Sequence, residues 1–282
     1  MFEFKIPLAD WINDAFEVIS VHLSPTLRSA SRFIGVLIEE FENVLLWPPA
    51  MITIILIALL VWWLANYRIG IFTLLGLLLA YGIGIWDETM STIALALSST
   101  LITLVIGIPI GILASQSSII ERIVRPILDF MQTLPSFVYL IPAVMFFGMG
   151  KVAALVATMI FAMPPAVRLT ILGIREVSKE IVEAAHAFGS NRWQTLKDVQ
   201  LPIAMPTIMA GVNQCIMMAL SMTVIASMIG AGGLGNVVLR SMQSLDIGMG
   251  TVGGLGIVIL AIILDRLTET LSKKMNKKKQ LQ

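Results

Sequence analysis

Few residues in this chain are of a type to do covalent chemistry, and none stands at a spacing that would let it act with another. His22 and His186 are isolated, no His, Cys, Asp and Glu fall at metal-ligand spacing, and no Ser, His and acid stand together as a triad. GAGGLG satisfies G-x-G-x-x-G through Gly230, Gly232 and Gly235. A dinucleotide site needs that pattern between a strand and a helix; here it follows a long apolar run, so the glycines read as a sharp turn. Gly150 and Lys151 are followed by Val152 where a P-loop requires Ser or Thr, so nothing in the chain reads as an ATP site. Cys215, the single cysteine, lies in an apolar run and reads as a small packing residue; the methionines from Met205 to Met228 read as gap-filling. His186 reads as a solvated position on a helix surface.

What remains is a polar stretch between apolar ones: EVSKEIVEAAHAFGSNRWQTLKDVQLPIAMP, residues 176 to 206. Ser178 can cap a helix whose apolar stripe is Ile181, Ala184, Ala185 and Phe188, with Glu180, Glu183 and His186 pointing away. Gly189 can end it as a C′ glycine. Ser190 or Asn191 can cap a second short helix, Asn191 and Gln194 having capping-box spacing, and Leu201 and Pro202 open the next element. Two short helices with their own stop signals form a stiff connector, shaped to meet something outside the apolar phase.

The elements that hold this stretch follow from composition. With 57% hydrophobic and 13% charged residues and a mean hydropathy of +0.90, the chain belongs to the integral membrane class. Apolar runs give about seven transmembrane helices, at roughly 48 to 66, 69 to 86, 90 to 114, 135 to 150, 152 to 171, 204 to 229 and 248 to 265, so the fold class is all-α. No span interior shows a Lys, Arg, Asp or Glu, which counts against an ion-coupled carrier. Placing the C-terminus in the cytoplasm leaves only Lys5, Arg28, Arg32, Lys151 and Arg240 of the 19 Lys and Arg outside. The positive-inside rule then puts the 172 to 203 loop in the cytoplasm and, with an odd number of spans, the N-terminus outside.

Residues 1 to 47 lack the basic start and unbroken apolar core of a signal peptide. They read as two amphipathic helices. Trp11, Ile12, Phe16 and Ile19 share one face and Leu27, Ile34, Leu37, Ile38 and Phe41 another, with Ser24 and Pro25 as the break. Such helices lie in the outer interface and pack on the first spans, or serve as hydrophobic flank alone.

At the polar stretch the residues match a known pattern. Glu183, Ala184, Ala185, three residues, Gly189, nine residues, Val199, one residue, then Leu201 and Pro202 resemble the cytoplasmic EAA loop of ABC-importer permeases, with valine where the family usually has isoleucine. STIALALSSTLITLVIGIPIGILAS, PILDFMQTLPSFVYLIPAVMFFGMG, IFAMPPAVRLTILGIREV and ALSMTVIASMIGAGGLG are similar to the permease subunits of glycine betaine and proline betaine importers. The resemblance covers most of residues 60 to 270. It implies a type I ABC-importer permease core of five spans at 90 to 266, containing the loop at 174 to 203. Two additional spans at 48 to 89 and the external amphipathic region at 1 to 47 precede it, and a basic cytoplasmic tail at 267 to 282 follows.

The same resemblance implies the function: an osmoprotective importer subunit in a bacterial cell membrane, itself without catalytic activity and without a bound cofactor or metal. ATP and Mg are bound by two partner ATPase subunits, which receive the coupling helix marked by Glu183, Ala184, Ala185, Phe188, Gly189, Leu201 and Pro202. A second copy of the chain and an external betaine-binding protein, free or lipid-anchored, complete the assembly; membrane lipid surrounds it and nucleic acid has no part. Asn213, Gln214, Ser221, Thr223 and Ser227 are the polar residues of the sixth span; they either line the path or hydrogen-bond between helices. Prolines 109, 135, 142, 164 and 165 can weaken helices at membrane depth, and Gly107 and Gly111 suit close helix packing. Lys273 to Lys279 anchor topology or meet anionic lipid. An ion-coupled carrier, a permease for another small solute and a membrane scaffold that recruits an ATPase are the alternatives.

Overall fold

The computed structural model describes residues 7 to 279, and among them every regular element is a helix. α1 (Leu8–Leu46) and α2 (Ala50–Leu64) meet at a 101° bend. Trp47, Pro48 and Pro49 fill that bend, where two ring-locked residues without amide protons cannot continue a helix. α3 (Tyr67–Gly82) starts at Asn66, whose Oδ1 accepts the Ile69 N–H at 3.0 Å. α4 (Trp86–Gln116), α5 (Ser118–Thr133), a 3-10 turn at Ser136–Tyr139, α6 (Leu140–Phe147) and α7 (Lys151–Arg175) follow. The chain then makes α8 (Lys179–Ala187), α9 (Arg192–Gln194), a π-helical stretch at Thr195–Gln200 and α10 (Leu201–Ala226). A 3-10 turn at Ser227–Ile229, α11 (Gly233–Ser244) and α12 (Ile247–Lys279) complete it.

Each expected span falls on a helix, but not in the expected form. α4, α7, the continuous Arg192–Ile229 helix and α12 as far as Lys274 are each long and apolar enough to cross a membrane. Counting the two bent pairs as single spans brings the number to six. α3, with 16 residues, reaches about 24 Å at the helical rise, short of the ~30 Å hydrocarbon core. The fourth expected span is not a spanning helix by itself: α5 and the Ser136–Phe147 segment are long and apolar enough only together, across a 110° bend at Leu134 and Pro135, as a broken span or a re-entrant loop. Glu121, Arg122, Arg125 and Asp129 lower the mean hydropathy of α5, which is why apolarity alone passes it over. The expectation of spans without charge is corrected accordingly. Glu121 and Asp129 of α5 pair with Arg175 and Arg168 of α7, so ion pairs run along the last two turns of α7.

The N-terminal region also differs. Its helix is not broken at Ser24 and Pro25 but runs unbroken from Leu8 to Leu46. Pro25 is thus held inside a helix, as are Pro109, Pro126, Pro164, Pro165 and Pro206. α1 packs on α4, α6 and α7 rather than chiefly on the first spans. Ile38 is buried among Leu95, Leu140, Ala153 and Ala154, Phe16 meets Phe146 at 5.4 Å between ring centroids, and Glu42 pairs with Lys151. The apolar face of its first half stays open, with Trp11 59% exposed.

At the centre α7 lies between α4 and α10. Small residues allow the approach: a Cβ on Gly111 would lie 2.6 Å from Thr170 Cβ, and one on Gly211 would lie 3.0 Å from Leu169 Cβ. The α7 end at Arg175, the α4 end at Gln116 and the α10 start share one end of the bundle with α8 and α9. There Gln116 Nε2 donates to Gln200 Oε1 at 3.2 Å. At the opposite end Gly150 N–H donates to Ile229 O at 2.9 Å, tying the start of α7 to the turn after α10. That turn uses left-handed backbone at Gly230 (φ 83°) and Gly232 (φ 80°), as the glycine run requires.

Candidate functional site

The end of the bundle carrying α8 and α9 is built to keep short helices rigid. α7 ends at Arg175, and buried Val177 fixes the turn into α8. Ser178 occupies the N-cap position, yet its hydroxyl caps no backbone N–H and instead lies 3.4 Å from Glu180 Oε2. The far end of α8 is closed as the glycine suggests. Gly189 has φ 87°, its N–H donates to His186 O at 2.9 Å, and Ser190 N–H donates to Ala185 O at 3.0 Å, the Schellman arrangement. His186 is exposed but not merely solvated: its Nδ1–H donates to Ser190 O at 2.9 Å, adding a side-chain strap to the same turn. His22 likewise turns Nδ1 to a local carbonyl, Val18 O, at 2.8 Å.

The next helix starts with a complete capping box. Gln194 N–H donates to Asn191 Oδ1 and Asn191 N–H to Gln194 Oε1, both at 2.9 Å. No new element opens at Leu201 and Pro202, however, because the helix is continuous from Arg192. It widens into π geometry over Thr195–Gln200, where Leu201 N–H reaches back to Leu196 O. Pro202 has no amide proton and its ring would clash with the carbonyl four residues earlier in an α-helix; the wider turn just before it relieves both. Thr195 and Leu196 are buried, and Leu196 packs with Ile174, Ala204 and Ile208. α9 is therefore one piece with α10.

The orientation of α8 decides what it can do. Val182 and Ala185 are half-buried toward the bundle, and Glu183 borders a cleft of about 230 Å³ with Ser115, Ile174, Arg175, Val182 and Gln200. Ile181, Ala184 and Phe188 face away from it. Phe188 is 92% exposed and Trp193, on the next helix, 66%. A rigid helix with an open aromatic edge is suited to enter a groove on another protein. Among the described residues no group of three or more His, Cys, Asp and Glu could hold a metal.

The polar residues of α10 divide. Asn213 Nδ2 donates to Asp265 Oδ1 at 3.0 Å and its Oδ1 accepts from Thr268 Oγ1, joining α10 to α12. Thr223 and Ser227 are buried and donate to Ala219 O and Val224 O of their own helix. Gln214 and Ser221 are exposed, and they share a face with Ile203, Pro206 and Ala210 that none of the described helices covers. Sequence inspection treats all five alike, because only packing distinguishes them.

With this geometry established, comparison with known proteins gives the family. Residues 107–277 match the binding-protein-dependent transport system inner membrane component family. The chain is 48% identical over 268 residues to the glycine betaine/proline betaine transport system permease protein ProW of Escherichia coli (strain K12), covering 95% of this chain and 76% of ProW. It is 50% identical over 273 residues to the glycine betaine/carnitine transport permease protein GbuB of Listeria monocytogenes, covering 95% of this chain and 96% of GbuB. With the glycine betaine transport system permease protein OpuAB of Bacillus subtilis (strain 168), identity is 46% over 270 residues and coverage 96% of each. Among solved structures, a chain of the MetNI methionine ABC transporter in inward-facing conformations matches with a TM-score of 0.62 at 22% identity, over 68% of this chain and 95% of that one. At that identity the likeness concerns the fold. The chain belongs to the family of membrane-spanning permease components of binding-protein-dependent ABC transport systems.

Proposed function

We propose that this chain is the permease subunit of an ATP-driven importer of glycine betaine and related quaternary ammonium solutes, with α8 as the element that couples ATP hydrolysis to passage. The observation that carries this reading is the open apolar edge of α8, with Phe188 92% exposed on a helix fixed at its far end by the Gly189 turn. The names of the relatives supply the solute class.

The mechanics follow from connectivity. α8 hangs between the end of α7 and the start of the α9 to α10 helix, and α7 packs along α10. A partner that grips α8 and moves it therefore moves the ends of two central helices together. In our reading two copies of the chain face each other across the open face of α10, where Gln214 and Ser221 line the path while Asn213, Thr223 and Ser227 hold helices. Two ATP-binding subunits take the α8 edges from the cytoplasm and hold ATP and Mg, and an external binding protein delivers the solute at the opposite end. The bias of basic residues places the α8 end and the 267 to 282 tail inside, and taking the short α3 as a seventh crossing beside the six puts the 1 to 47 region outside. The core at 90 to 266 does the transport, with 48 to 89 as added spans.

The test is a cysteine at Ala184 in a Cys215→Ala background, cross-linked in membranes containing the ATP-binding subunits. A cross-link to those subunits that changes in yield when ATP is bound supports the assignment, whereas none at Ala184 or at an equivalent Phe188 cysteine overturns it. A second reading, an ion-coupled carrier, draws on the ion pair of Arg168 and Asp129 within the apolar helices. Uptake by the chain reconstituted alone would favour it.

A further inference from the structure

A cleft of about 480 Å³ lies between α5 and α7. Leu169 lines this cleft and packs on Gly211 of α10, one turn before Gln214, so one side chain links the cleft to the helix that bears Gln214 and Ser221. Its polar lining is Glu121, Arg125 and Asp129 from one stripe of α5 and Arg168 and Arg175 from one stripe of α7. α5 turns its apolar side outward, with Ile119 63%, Ile123 60% and Phe130 63% exposed, while Glu121 is 8% exposed. A helix with isoleucines outside and acids inside suits lipid on one flank and a watered cavity on the other, and charges within spans mark the routes of polar solutes.

The ion pairs here are of two kinds. Glu121, its side chain 11% exposed, is held by Arg125 at 2.8 Å and also by Arg175, which fixes α5 on α7. Among the described residues Arg168 and Asp129 pair only with each other, at side-chain exposures of 40% and 59%. A pair so open adds little to stability, so exchanging its partners costs little. We propose that Arg168 and Asp129 form a subsite for the transported zwitterion, the guanidinium taking the carboxylate and the Asp129 carboxylate facing the quaternary ammonium. Inserting a zwitterion replaces one ion pair by two and leaves the charge of the cleft unchanged. The lining has no aromatic ring to cage the ammonium, so the hold is weak, as release requires.

The subsite rests on the solute class proposed above, and its test separates the two. The complex with its ATP-binding subunits, in nanodiscs without nucleotide or binding protein, is titrated by saturation-transfer NMR with three probes. These are glycine betaine, choline, which lacks the carboxylate, and 3,3-dimethylbutyrate, which lacks the positive charge. Glycine betaine is expected to bind best, and Arg168→Gln and Asp129→Asn are each expected to weaken it about tenfold, as loss of a charged partner does. The variants should also diverge: Arg168→Gln raises choline relative to the anion, Asp129→Asn does the reverse, and Arg168→Lys keeps the order of the three. A purely structural pair would not invert that preference. Betaine binding unchanged in both variants overturns the subsite, as does absence of binding in a complex that still imports betaine with ATP and binding protein. In the latter case the proposed function stands. Loss of a phosphatidylglycerol dependence in the variants, with betaine binding intact, gives the cleft to a lipid headgroup and also overturns it.

Discussion

At Gly189 the α8 turn needs φ 87°, and a Cβ there would meet no atom within 4 Å, so the constraint is the backbone alone. A β-branched residue in that conformation costs about 1–2 kcal/mol, whereas Asn tolerates it. Gly189→Val is therefore expected to lower betaine uptake and betaine-stimulated ATPase activity with membrane insertion intact, and Gly189→Asn to retain most of both; equal activity in the two variants would remove the turn from the coupling account. At Gly111 the constraint is space. A Cβ would fall 2.6 Å from Thr170 Cβ and 2.9 Å from Val167 O, so Gly111→Val forces α4 and α7 apart at about 1–3 kcal/mol. A melting temperature lowered by several degrees in detergent is the expected result, and an unchanged one would contradict the packing. Gly189 was legible in the sequence as a C′ glycine. The spacing of Gly107 and Gly111 suited close packing and ordinary span packing alike, and only the coordinates show the contact with Thr170. Ser178 was not legible: the sequence shows a residue able to cap, but only coordinates show its hydroxyl beside Glu180.

Among the elements, the long apolar helices α4, α7, α10 and α12 are plain in the hydropathy, and the Asn191 capping box is plain in its spacing. α5 was hidden because its charges are spent on α7 and its apolar residues on the outside, an arrangement that average hydropathy reads as a polar link. The continuity of α1 was hidden because Ser24 and Pro25 carry a break signal in sequence, yet the helix runs through them. α1 supplies its own prediction. Asn13 is exposed and Cys215 is buried, so a cysteine at Asn13 in a Cys215→Ala background is a clean probe. With the N-terminus outside, a membrane-impermeant thiol reagent labels it in intact cells. Labelling only after permeabilisation would put this end in the cytoplasm and require an even number of crossings.

For the whole molecule, the central claim is that α8 transmits the work of ATP hydrolysis to helices that line a solute path. Burying a phenylalanine contributes about 1.5–3 kcal/mol, and Phe188 is the largest open apolar group on α8. Phe188→Asp should therefore uncouple the machine rather than unfold the chain. The most direct measurement is ATP-driven uptake of labelled glycine betaine into proteoliposomes holding this chain, its ATP-binding subunits and the external binding protein. The account predicts uptake that requires all three components and ATP hydrolysis. It also predicts that Phe188→Asp abolishes uptake while the chain remains inserted and folded. Betaine uptake by this chain alone, driven by an ion gradient and indifferent to Phe188→Asp, would contradict it.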